Sequence, residues 1–145
     1  MAPTAMTAAV PGASISQDAG LAAVKAAVAE GLEVGCRVNA AVVDAGGNLV
    51  AFLRADGAFL PSIAIAQDKA YTAAGFGMAT DRLYRLIEGS PALRDGILNR
   101  ERVAAFPGGL PIVVDGLLVG AIGVSGGSEE EDVRCAEAGL AAVAR

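Results

Sequence analysis

The chain has 145 residues, 54% of them hydrophobic and 19% charged, and its sixteen acids against eleven bases give a formal charge of -5. That length suits one domain with one core, and the apolar content excludes a disordered chain. The acidic balance, without any cluster of Lys or Arg, argues against a nucleic-acid backbone as partner.

Residues 1–13 lack the basic and apolar segments of a secretory signal, and no later run reaches the roughly 18 apolar residues of a membrane span. The expectation is a cytoplasmic protein with no membrane partner, a flexible N-terminus over 1–13 and a single domain over 14–145. Histidine is absent altogether. General base chemistry and nitrogen ligation of metals or haem must therefore use other groups. Cys36 and Cys135 lie far apart without CxxC spacing, so the sequence signals neither a zinc site nor a redox pair, and the expectation is two buried, reduced thiols.

Ser14 and Ser16 offer N-caps to an amphipathic helix over 17–34, with Leu21, Val24, Ala27, Val28 and Leu32 at helical spacing. RVNAAVVD (37–44), AGGN and LVAFLRAD (49–56) then read as strand, tight turn and returning strand. Pro61 opens a second helix that runs to about Ala79. Ile65, Lys69, Thr72 and Phe76 share one of its faces, beside a ridge of Ala66, Ala70, Ala73 and Gly77.

Thr80 and Asp81 are candidate caps for a short helix to Ile87, and Ser90-Pro91 starts another. VAAF (103–106) reads as a short strand, PGGLP as a kinked loop, and IVVDGLLVGAIGVS as a hairpin turning at Asp115-Gly116. Ser128 and Glu131 form a capping box for a last helix with Val133, Ala136, Leu140 and Val143 inward. The order predicts an α+β fold, an antiparallel sheet flanked by helices.

VVDAGGNLVAFLRADGA, AQDKAYTAAGF, FPGGLPI and DGLLVGAIGVSGGSEEEDVRCAEAGL, in that order, resemble the signature of the GlcG/HbpS-like family over residues 16–145. The resemblance implies a profilin-like fold with a five-stranded antiparallel sheet, a homo-oligomer, and relatives that bind or degrade haem or form the C-terminal part of PduO-type adenosyltransferases. Some haem-binding relatives use a histidine ligand, which this chain lacks. No cofactor and no metal are therefore expected. Tyr71, Tyr84 and Met78 remain as conceivable iron ligands beside their packing roles.

Lys69 is the leading candidate for chemistry. An ammonium beside Ile65, Thr72 and Phe76 would be desolvated and would need Asp44, Asp56 or a ligand carboxylate as partner. Arg54 and Asp56 end a strand, where ligand contacts or a surface ion pair are both reasonable. Phe106, Pro107, Gly108 and Gly109 form a loop whose amides suit an oxyanion, or a turn that needs positive φ.

Ser125-Gly126-Gly127 precedes a helix, but Glu129, Glu130 and Glu131 would repel a phosphate there. Gly75-Phe76-Gly77 lies inside a helix and is no dinucleotide motif. The expected function is binding of a small, partly anionic organic molecule by Lys69, Arg54, Thr72, Phe76 and the 106–109 loop. A metal-free proton-transfer or lyase reaction would use Asp44, Asp56 or Lys69 as base. The alternatives are a haem-binding or haem-degrading protein with a non-histidine ligand, and an oligomer with no small ligand.

Overall fold

The computed structural model describes residues 6–143. The first five residues of the expected N-terminal segment lie outside that range, and residues 6–13 are exposed and form no helix or strand. The elements run α1 (Gln17–Glu33), β1 (Asn39–Asp44), β2 (Leu49–Arg54), α2 (Pro61–Phe76), α3 (Thr80–Ile87), α4 (Pro91–Leu98), β3 (Gly109–Val114), β4 (Leu117–Ser125) and α5 (Glu129–Ala141). All strand pairings are antiparallel, in the order β2-β1-β4-β3.

The described sheet has four strands where five were expected, because VAAF does not join it. The hydroxyls of two helical threonines hold that segment instead. Thr72 Oγ1 donates to the Arg102 carbonyl and accepts from the Ala104 amide, both at 2.9 Å. Thr80 Oγ1 donates to the Phe106 carbonyl at 2.6 Å and accepts from the Gly109 amide at 3.0 Å. These bonds satisfy backbone groups that a strand would have offered to its neighbour. Strand character begins only at Gly109, inside the PGGLP segment expected to be loop. Pro111, which cannot donate to a ladder, sits on edge strand β3.

The sheet is covered on both faces. Alternation along β1 sends Ala40 and Val42 to a core built with α1 and α5, and Ala41 and Val43 to a second core under α2. Close approach rather than side-chain bulk fills both. The buried face of α1 is Gly20, Ala23, Val24, Ala27, Val28 and Gly31, whereas Leu21 and Leu32 of the expected stripe are exposed. A β-carbon added at Gly139 would run into the Ala23 carbonyl of α1, and one added at Gly123 into the Ala66 carbonyl and Ala70 amide of α2. The Ala66, Ala70 and Ala73 ridge lets α2 rest almost backbone to backbone on β4.

Capping follows the sequence at α1 and α5. Ser16 accepts from the Ala19 amide, and Ser128 and Glu131 close a capping box. Thr80 does not cap α3. The N-cap is Ala79, and the Thr80 hydroxyl turns to the 106–109 loop.

Gly123→Ala should cost about 3 kcal/mol or more, since neither helix nor strand backbone can yield to a methyl group, and urea unfolding will measure it. Asp44 stabilises the β1–β2 turn by accepting from the Gly46 and Asn48 amides at 2.9 and 3.0 Å. The Asn48 amide, foremost among these bonds, holds the Asp44 carboxyl below its ordinary range. A carboxyl depressed on folding contributes stability above its unfolded pKa of about 3.9, and loses it as pH falls through the folded value. Asp44→Ala should therefore destabilise by about 1 kcal/mol at neutral pH, with the difference closing in acid.

Candidate functional site

Two features stand out on the α2 side of the sheet, and they do not coincide. The first is Lys69, which has no solvent exposure. Its Nζ donates to the Val124 carbonyl at 2.8 Å and to Asp132 Oδ2 at 3.1 Å, and it lies 4.6 Å from the centre of the Phe106 ring. Asp132 is itself buried, and its other oxygen accepts from the Gly127 amide at 2.9 Å. Lys69 thus points inward, but its partner is Asp132 of α5 and neither Asp44 nor Asp56.

Burial pulls the Lys69 ammonium below its ordinary range and pushes the Asp132 carboxyl above its own, while attraction between the two opposes both shifts. Gly108, at φ 128°, and Gly109 make room for this arrangement. A β-carbon on Gly108 would stand 2.7 Å from Lys69 Nζ, and one on Gly109 would stand 2.6 Å from the Lys69 carbonyl. Both glycines are buried, and the Gly109 amide expected to face an oxyanion is taken by Thr80.

The second feature is an open cavity of about 730 Å³ between the β1–β2 turn, the C-terminal half of α2 and residues 99–103. Tyr71, Thr72 and Phe76 come from α2, Gly46 and Gly47 from the turn, and Arg100 and Arg102 from the far wall. The Arg102 guanidinium lies 3.8 Å over the Tyr71 ring, a cation–π contact. Gly47, at φ 83°, admits the same ring from the turn, since a β-carbon there would meet it at 2.9 Å.

Arg102 adopts φ 67°, the left-handed region that a residue with a β-carbon rarely enters. The Thr72 hydroxyl bonded to its carbonyl holds it there. Strain of this kind is retained where the surroundings enforce it, often at ligand sites.

The other residues singled out from sequence are dispersed. Thr72 and Phe76 line the large cavity, and Asp44 shapes the turn at its rim. Phe106 and Pro107 line a separate cavity of about 400 Å³ with Tyr84 and Leu98. Arg54 donates to the Ala58 carbonyl through Nε and Nη2. The backbone carbonyl of Asp56 accepts from Arg37 Nη1 at 2.7 Å. Sequence reasoning missed Asp132, Arg100 and Arg102. A lone acid in an acidic first turn gives no sign of facing inward, and the arginines follow a helix end without periodicity. Among the described residues, no group of three or more His, Cys, Asp or Glu side chains could hold a metal ion, and no helix is long and apolar enough to cross a membrane.

Comparison with known proteins places the chain in a family. The profile described as "Haem degrading protein HbpS-like" matches residues 15–141, and the chain belongs to that HbpS-like family. An uncharacterized 15.0 kDa protein from the dhaT-dhaS intergenic region of Citrobacter freundii is 38% identical over 117 residues, covering 80% of this chain and 82% of that protein. The crystal structure of Klebsiella pneumoniae ORFY superposes with a TM-score of 0.90 at 29% identity, covering 97% of each chain.

A solved complex of PduOC with haem superposes with a TM-score of 0.81 at 30% identity, covering 91% of this chain and 99% of that one. It corrects the expectation that no cofactor belongs here. Haem had been set aside for want of histidine, yet a relative of the same fold holds it.

Lys69→Met leaves Asp132 buried without its cation and should cost about 3–5 kcal/mol in urea unfolding. Adding Asp132→Leu, which removes the orphaned charge, should recover part of that loss.

Proposed function

We propose that the chain binds a flat, apolar-bodied organic molecule with acidic substituents in the 730 Å³ cavity, a haem-type tetrapyrrole being the ligand of that chemistry. The observation that carries this reading is the lining itself. Tyr71 and Phe76 offer aromatic surface to a macrocycle, and Arg100 and Arg102 offer guanidinium groups to carboxylates. Its volume lies within the range of small-molecule pockets.

The residues present fit haem at its periphery. Arg100 and Arg102 would hold the propionates, Phe76 and Gly75 would face the ring, and Tyr71 supplies the phenol oxygen through which a tyrosine can ligate iron. Haem, when bound, supplies a redox-active iron. The chain's own part is to orient the ring, neutralise its acids and shield one face from water. Thr72 serves as a positioning residue, since its hydroxyl fixes the backbone from which Arg102 projects. The reading takes the protein as cytoplasmic, homo-oligomeric and profilin-like in fold, and the binding site drawn here lies within one chain.

Titration with haem, followed by absorbance, should saturate at one equivalent. Arg102→Gln should weaken binding about tenfold, the equivalent of one lost charge-assisted hydrogen bond. Tyr71→Phe should change the Soret band more than the affinity. Tyr84→Ala, in the other cavity, should change neither. Equal affinity in the wild type and Arg102→Gln, or a loss confined to Tyr84→Ala, would place the ligand elsewhere.

A further inference from the structure

The two cysteines, unrelated by sequence spacing, meet in the fold. Cys36 follows α1, its amide donating to the Gly31 carbonyl at 2.8 Å. Cys135 lies on the buried face of α5. Gly31 brings them together, because a β-carbon there would stand 3.2 Å from the Cys36 carbonyl and 3.5 Å from Cys135 Sγ. Both residues belong to the same packed layer, where Gly31 lies between the Cys36 backbone and Cys135 Sγ. Both are free thiols.

Their exposures differ in a useful way. Cys135 has none, whereas Cys36 is half-buried and lines an open cavity of about 530 Å³ with Arg37, Gly57, Phe59, Gly126 and Glu131. An oxidant small enough to enter that cavity reaches Cys36 before the fully buried Cys135.

We propose that Cys36 and Cys135 form an oxidisable dithiol, which closes to an intramolecular disulfide when a hydroperoxide enters the cavity lined by Cys36. The Cys36 thiolate attacks one peroxide oxygen, the O–O bond breaks, and the departing oxygen takes up a proton to leave as water. Cys36 is then a sulfenic acid. Cys135 sulfur attacks the Cys36 sulfur, the S–O bond breaks, and a second water leaves with the Cys135 proton. Two thiols and one hydrogen peroxide give one disulfide and two waters.

The order of attack follows from the surroundings. Burial, then Glu131, raises the Cys36 thiol above its ordinary range, with Asp132 adding to the rise and the Cys135 side chain opposing it. Burial and the Cys36 thiol push Cys135 up to about 12, with Asp132 and Glu30 adding to the rise. The less perturbed, accessible thiol is the attacking one, and because only the thiolate attacks, the reaction quickens as pH rises through the alkaline range. This thiol pair is slow at neutral pH and suited to sustained rather than transient oxidant.

Treatment of the whole protein with excess hydrogen peroxide at pH 7 and pH 9 tests this. The expected product is a monomer lacking two hydrogens by intact mass, with both thiols unreactive to alkylation after denaturation and restored by dithiothreitol. It should form severalfold faster at pH 9. Its melting temperature should rise by roughly 5–10 °C, since the bridge ties α5 to the far end of α1. In Cys36→Ser, Cys135 should stay reduced; in Cys135→Ala, Cys36 should instead gain oxygen. Wild-type protein that gains oxygen at Cys36 while Cys135 remains alkylatable would overturn the proposal, as would disulfide-linked dimers as the main product.

Discussion

Lys69 carries its ammonium to a place with no solvent exposure, where Asp132, the Val124 carbonyl and the Phe106 ring must replace its water. Much of the surrounding architecture follows from that demand. The partner carboxylate comes from α5 and the lysine from α2, so one ion pair joins the helices on opposite faces of the sheet at the end of β4. The FPGG loop closes over the pair, and its glycines are required because a side chain at either would displace the lysine. A buried pair of this kind is a weak source of net stability, but it is intolerant of losing one member. It fixes how α2, β4, α5 and the loop meet.

The same close packing leaves space at the other end of α2. Below Lys69 the helix lies against β4 on Ala66, Ala70 and Ala73, and at its C-terminal end Tyr71, Thr72 and Phe76 turn toward a concavity that no side chain of the described residues fills. Thr72 of α2 and Thr80, the first residue of α3, clip the 102–109 segment along its length. One clip sets the strained Arg102 at the cavity and the other anchors the loop over Lys69. The threonines thereby link two sites with different duties, a sealed one that organises the core and an open one suited to a ligand.

Much of the fold was legible because it follows local rules. The hairpins at AGGN and Asp115-Gly116, Pro61 and Pro91 at helix starts, and the Ser128–Glu131 box are all signals read within a few residues. VAAF misled because β-propensity measures fit to a pleated surface, and here two threonine hydroxyls from elsewhere in the chain had already taken the backbone groups. At the candidate site, Thr72 and Phe76 could be placed by helical spacing. Asp132, Arg102 and the meeting of Cys36 with Cys135 depend on contacts between distant elements, which no period in the sequence encodes. The expectation of no cofactor rested on the missing histidine, whereas a relative of the same fold is solved in complex with haem.

Ligand binding is proposed for the Tyr71–Arg102 cavity rather than for the buried lysine or the neighbouring loop. Backbone hydrogen exchange, measured with and without saturating haem, tests it most directly. Haem in the cavity should bring new protection to residues 45–47 and 99–103, with exchange around 106–109 and 129–132 unchanged. Protection confined to those latter segments, with the cavity walls unaltered, would contradict it.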